Sequence, residues 1–86
     1  MKTIWEANYE NNAIRVENTW LNGERLFVNN ELQDITKGAF GTELFRHVNK
    51  NNGEKLNVKV RLFSDFFSVK CILFIDNKKV SIDKIS

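Results

Sequence analysis

Proline is missing altogether, although average usage near 5% would place about four in a chain of this length. Chain reversals therefore fall to glycine, asparagine and aspartate, and no ladder position is blocked for hydrogen bonding. The single cysteine, Cys71, excludes an internal disulfide and any multi-cysteine metal site. The single histidine, His47, stands beside Arg46 with no adjacent cysteine or carboxylate, so a metal site or a histidine-based triad has no partners nearby in sequence. No segment approaches the roughly 18 apolar residues of a membrane span, and the opening Met1 to Glu6 lacks the apolar run of roughly 7–15 residues that a signal peptide needs, so a cytoplasmic protein with no membrane partner is expected. Neither sign of charge dominates: 13 cations against 11 anions leave a net +2, too small an excess to argue nucleic-acid binding from net charge alone.

What is present is enough for one small domain spanning 1–86, with 42% hydrophobic and 28% charged residues. A chain this short buries only about 60% of its unfolded surface, so its core is thin and a protein partner or a second copy would help it. Asparagine is abundant, and Asn22-Gly23, Asn29-Asn30, Asn51-Asn52-Gly53 and Asp76-Asn77 all fall between apolar runs, where residues tolerant of positive φ make hairpin turns.

Between these turns the period is two. Leu56, Val58, Val60 and Leu62 alternate with Lys55, Asn57, Lys59, Arg61 and Phe63, and Phe67, Val69, Cys71, Leu73 and Ile75 alternate with Ser68, Lys70, Ile72 and Phe74. Weaker alternation runs over 4–9, 14–20, 25–28, 42–48 and 79–85, and the stretch 32–37 reads as either a strand or one helical turn. No helical stripe persists, so the fold expected is all-β: a small antiparallel β-sandwich of seven or eight short strands joined by Asn/Gly hairpin turns, rather than a closed barrel.

Facing residues of an antiparallel pair share a side, so parity constrains each turn. A three-residue loop at Leu21-Asn22-Gly23, with Gly23 in the left-handed region, pairs Val16 with Val28; Asn51-Asn52-Gly53 pairs Val48 with Leu56 and Leu44 with Val60; a two-residue type I′ turn at Asp76-Asn77 pairs Leu73 with Val80 and Cys71 with Ile82. Two echoes accompany the turns. Asn22 to Val28 resembles Asn52 to Val58, and Phe27-Val28-Asn29-Asn30 resembles Phe74-Ile75-Asp76-Asn77. Their different offsets favour reuse of turn chemistry over a simple duplication.

The order Trp5, Ile14-Arg15-Val16, Trp20 to Gly23, Leu26 to Asn30 and Phe74 to Val80 loosely resembles a domain of the Fas apoptosis inhibitory molecule family. The family's His-Gly-containing segment after the second strand is replaced here by Asn18-Thr19-Trp20-Leu21. The resemblance implies a small antiparallel β-sandwich that binds other proteins without catalysis, and it carries no functional residue across.

The chemical inventory is poor, and neither a catalytic constellation, a metal site nor a cofactor is assigned. Cys71 lies between Val69 and Leu73 and reads as an inert core thiol. The carboxylates are scattered, and Gly38-Ala39-Phe40-Gly41 suits a sharp reversal, with Phe40 tucked inward, better than a phosphate cradle. The faces opposite the core say more. Phe27, Phe45, Phe63, Ile72 and Phe74 fall where a one-sided sheet should be polar. Another part of the chain, a homodimer or a partner must cover them, which makes Phe27, Phe45, Phe63 and Phe74 candidate partner-binding residues.

A turn centred on Ser64-Asp65 would set Lys59 opposite Lys70 and Arg61 opposite Ser68, giving a cationic groove bordered by aromatics. Lys59, Arg61, Lys70 and Phe74 would then serve a single-stranded nucleic-acid binder, although a solvated edge explains the same charges. The function expected is a non-enzymatic intracellular protein-interaction or structural module, with self-association as one form of it; the alternative is a weak single-stranded nucleic-acid-binding β domain.

Overall fold

The alternation read from the sequence becomes two antiparallel sheets sharing one core. In the computed structural model, residues 2–19, 23–36, 43–49, 55–64 and 69–85 are described, with 36, 43, 45–49 and 64 described by backbone alone. The strands are β1 (Lys2–Tyr9), β2 (Asn12–Thr19), β3 (Gly23–Val28), β4 (Glu31–Thr36), β5 (Glu43–Asn49), β6 (Lys55–Ser64), β7 (Val69–Ile75), β8 (Lys78–Val80) and β9 (Asp83–Lys84). Sheet A has the order β4-β3-β2-β1-β9 and sheet B the order β5-β6-β7-β8. Each is a meander, and only β9 departs from it by returning to the edge of β1. β4 makes 32–36 a strand and not a helical turn, position 37 lying outside the described residues, and the two-residue β9 brings the number of strands among the described residues to nine.

The inward side of sheet A supplies Trp5, Ile14, Val16 and Leu26; sheet B supplies Leu44, Leu56, Val58, Val60, Leu62, Leu73 and Ile75, all buried. Each such side chain contributes roughly 1.5–3 kcal/mol by leaving water, and the shared cluster is what makes the two thin sheets one body.

Turn chemistry then fixes the registers. Glu10-Asn11, Asn29-Asn30 and Asp76-Asn77 all have positive φ at both positions, as type I′ turns require. At two of them the first residue also extends the preceding ladder. Asn29 N donates to Ala13 O at 2.7 Å while Ala13 N donates to Asn29 Oδ1 at 2.8 Å, and Asp76 N donates to Asn57 O at 2.9 Å while Asn57 N donates to Asp76 Oδ1 at 3.1 Å. The shorter sequence echo therefore has a structural meaning: in both copies an Asx side chain supplies the acceptor that the turning backbone withdraws.

These bonds account for the registers that differ from expectation. Val16 faces Leu26 and Ile14 faces Val28, two residues away from the expected pairing of Val16 with Val28. Asn29 pins the far end of this ladder, and Thr19 pairs with Gly23, which has the positive φ of 77° expected of it. In the β6–β7 hairpin, Lys59 faces Phe74, Arg61 faces Ile72 and Lys70 faces Phe63, so neither the Lys59–Lys70 pair nor the Arg61–Ser68 pair forms. The Asp76–Asn57 bonds hold that register from the opposite end, and it removes a like-charge contact. Val48–Leu56, Leu44–Val60 and Leu73–Val80 pair as expected. Cys71 and Ile82 do not pair, because β8 stops at Val80 and the chain crosses to β1. The Gly38–Gly41 reversal and the Asn51–Gly53 turn lie outside the described residues.

Asn29 also donates from Nδ2 to Asn12 Oδ1 at 3.0 Å, tying the first turn to the third strand's end. Asn29→Ala should cost about 1–3 kcal/mol through lost bonds and a disfavoured positive φ. Asn29→Gly, which restores only the backbone freedom, should lie between the two. Urea titrations should show a lower midpoint at unchanged m; a midpoint for Asn29→Ala equal to the wild type's would show that the side-chain bonds contribute nothing.

Candidate functional site

The early departure of β8 shapes the most distinctive region. β8 covers β7 only from Leu73 to Ile75, after which Ser81 and Ile82 carry the chain across to β1, where Lys84 pairs with Trp5 and Asp83 with Glu6. Ile85 N seals the crossing by donating to Ile4 O at 2.7 Å. A cleft of about 500 Å³ opens between the diverging strands, with Trp5, Phe63, Cys71 and Ile82 among its apolar lining and Lys70 and Lys84 among its polar lining. Its volume lies in the range of ordinary ligand and peptide sites, and no carboxylate lines it among the described residues.

Cys71 is half-buried here, not a fully enclosed core residue as its sequence neighbours suggest. Burial nevertheless pushes its thiol up to about 12, because a thiolate among apolar neighbours loses its hydration. The group is therefore protonated and a poor nucleophile near neutral pH.

On the outward face of sheet B, cations and apolar side chains alternate across strands. Phe45 stands in register with Lys59, Lys59 with Phe74 and Phe74 with Lys79; Arg61 is in register with Ile72, and Phe63 with Lys70. Phe63, Ile72 and Phe74 are half-buried, while Arg61, Lys70 and Lys79 are exposed. The side chain of Phe45 lies outside the described residues, as does that of His47, whose backbone is in register with Asn57. Phe63 and Phe74 thus share one sheet face with Lys59, Arg61 and Lys70, and Phe45 takes the backbone register position beside Lys59, whereas Phe27 is in the other sheet.

Phe27 belongs to a separate cluster. The Arg15 guanidinium carbon sits 4.5 Å from the Phe27 ring centroid, a cation–π contact from its own chain. Arg15 Nε is also 3.2 Å from Glu17 Oε2, and Lys2 Nζ is 3.4 Å from Glu17 Oε1. The Arg15–Glu17 contact lacks hydrogen-bond geometry at Nε, so its attraction is Coulombic. Phe27 is therefore overlaid by Arg15, while Leu32 and Ile35 on the neighbouring edge strand are exposed.

Formal charge separates by sheet. Sheet B's strands carry Lys55, Lys59, Arg61, Lys70, Lys78 and Lys79, with Arg46 on β5, against Glu43 alone. Sheet A's strands carry Lys2, Arg15, Arg25 and Lys84 against six carboxylates. The small net charge of +2 conceals this asymmetry. Among the described residues no group of three or more His, Cys, Asp or Glu side chains is placed to hold a metal ion, and no helix is long and apolar enough to cross a membrane.

The alternation placed Phe63, Ile72 and Phe74 opposite the core, but the expected pairing of Lys59 with Lys70 does not form, and the cleft residues Trp5, Ile82 and Lys84 gave no signal as a group in the sequence. Val80 and Ile82 continue the alternation without interruption, so nothing in the pattern marks the switch between sheets. Comparisons with protein-family models, curated proteins and solved structures returned no match.

The raised Cys71 pKa has a defined sign in stability. Folding favours the protonated thiol, so this contribution is complete below the ordinary value of 9.0 and is lost as pH rises toward about 12. Denaturation across this alkaline window should show the wild type losing stability more steeply than Cys71→Ala. Parallel slopes would show that the thiol titrates alike in the folded and unfolded chains.

Proposed function

We propose that this protein is a non-enzymatic interaction module that engages a protein partner through the outward face of sheet B. The observation that carries the proposal is the interleaving of half-buried Phe63, Ile72 and Phe74 with Lys59, Arg61 and Lys70 in one register. Aromatic anchors amid cations can bury area and select partners of opposite charge. Phe45 belongs to this proposal by its register position, whereas Phe27, overlaid by Arg15 on the other sheet, falls outside this face. The resemblance to the Fas apoptosis inhibitory molecule family points toward binding without catalysis and transfers no residue. A cytosolic setting, whose reducing conditions suit a lone thiol, completes the proposal.

The same interleaving supports a second reading, in which Phe74 stacks a base while Lys59, Arg61 and Lys70 follow a single-stranded nucleic-acid backbone. Retention of proteins from a native extract on the immobilised chain separates the two when labelled oligothymidine is titrated alongside. Phe74→Lys should lose the retained protein by roughly tenfold, equivalent to about 1.4 kcal/mol, with folding preserved, while Phe27→Lys retains it. Oligothymidine binding that weakens steeply with salt, without protein retention, would decide for the nucleic-acid reading. Light scattering at two concentrations reports self-association in the same samples.

A further inference from the structure

All three of the exposed large apolar side chains among the described residues lie on the outward side of sheet A: Leu32 at 51%, Ile35 at 44% and Ile85 at 58% exposure. Leu32 and Ile35 are three residues apart, which in a regular strand would set them on opposite sides. The register shift between Leu26 and Phe27 brings both to the outer side, with Leu32 facing Phe27 and Ile35 facing Arg25. At the other edge Asp83 faces Glu6, and the Ile85 N to Ile4 O bond continues that ladder to set Ile85 beside Ile4. One row therefore crosses the whole sheet, from Ile35 through Arg25, Glu17 and Ile4 to Ile85. The row beside it begins at Leu32 on one edge and ends in Glu6 and Asp83 on the other.

The charges on this face have poles. Both Glu17 oxygens are engaged, one by Lys2 and one by Arg15. Arg25 stands beside Glu17 on β3 but makes no ion pair among the described residues, and its Nε has no hydrogen-bond partner. On the other side of the central β2, Glu6 and Asp83 likewise have no ion pair among the described residues. Lys2, Arg15 and Arg25 are matched in number by Glu6, Glu17 and Asp83, so the face is neutral as a whole, with an unpaired cation on one flank and unpaired anions on the other.

We propose that the outward face of sheet A binds a second copy of this chain, face to face, about a two-fold axis running along β2. β2 is the middle strand of the order β4-β3-β2-β1-β9, so this axis exchanges the two flanks of the sheet. Ile35 of each copy then meets Ile85 of the other, and β3 lies over β1, where an arginine side chain spans the one-row offset of about 7 Å from Arg25 to Glu6. On the axis β2 meets β2. Glu17 there is only 6% exposed and already paired, so the contact removes little further water from it. A neutral face with unpaired charges of both signs complements its own copy better than a strongly charged partner or a nucleic acid, and a chain of this size gains from burial that its thin core does not supply. The proposal is independent of the sheet B reading, and either stands without the other.

Sedimentation equilibrium of the full chain should show the mass rising with concentration from 10.1 kDa toward twice that value. Arg25→Glu and Glu6→Arg should each weaken self-association by roughly tenfold or more, since each sets like charges against one another at two symmetric places. An equimolar mixture of the two variants should associate again, because every such contact is then between opposite charges. Mixing cannot repair a defect within one chain, so this restoration reads the contact between copies. Ile35→Lys, at an exposed position, should weaken association by a similar factor with an unchanged melting temperature, and Phe74→Lys should leave association intact. A wild type that stays monomeric at millimolar concentration would overturn the proposal. So would association lost in Phe74→Lys but kept in Arg25→Glu, which assigns the contact to sheet B, and so would single variants that weaken association without recovery on mixing. If the charge variants do not fold, Ile35→Lys decides: association equal to the wild type's would overturn the proposal.

Discussion

Neither meander can bury its apolar side by itself, and the sharing of one core between them is the constraint on which the rest of the structure depends. Sheet A contributes Trp5, Ile14, Val16 and Leu26, and sheet B contributes a denser set of valines and leucines from β5, β6 and β7. A strand period of two puts every second residue into that core, so a shift by one residue in any strand would drive charges such as Lys59 and Arg61 inward. Shifts by two or four are not forbidden in this way. The Asx turns resolve that remaining ambiguity, with Asn29 anchoring β3 against β2 and Asp76 anchoring β7 against β6.

The same distinction explains what was legible in the sequence. Face assignments followed from alternation alone, which is why Leu44, Leu56, Val58, Val60, Leu62, Leu73 and Ile75 could be recognised as core. Ladder partners needed a turn length, and at two hairpins the apparent turn gave an even-numbered offset that parity cannot detect. The Glu10-Asn11 turn gave a weak signal because glutamate, unlike asparagine or glycine, has no particular tolerance for positive φ. The cleft was hidden for a different reason. Ile82 has the residue type and parity of a continued β8, and only the competing edge of β1, with its Lys84, Asp83 and Ile85 contacts, draws the chain away.

The outward residues then acquire their arrangement from register, not from composition. Placed four residues off, the β6–β7 hairpin would have gathered Lys59 and Lys70 into a like-charged pair; as formed, it sets Lys59 against Phe74 and Lys70 against Phe63. A lysine stem can lie along a neighbouring ring while its ammonium stays hydrated, so the interleaved arrangement shelters aromatic surface without neutralising the sheet. On sheet A the corresponding device is Arg15, shared between the Phe27 ring and the Glu17 carboxylate.

These two devices leave the sheets differently prepared for contact. On sheet A, Glu17 brings Lys2 and Arg15 into local ion pairs, so part of the cationic charge is answered within the chain. On sheet B the strands carry, by formal count, seven cations against Glu43, and β8 covers β7 only from Leu73 to Ile75. The chain's last described residues meanwhile stabilise β1, where Lys84 pairs with Trp5 and Ile85 N donates to Ile4 O, so that β8 ends at Val80 and the cleft opens between the diverging strands.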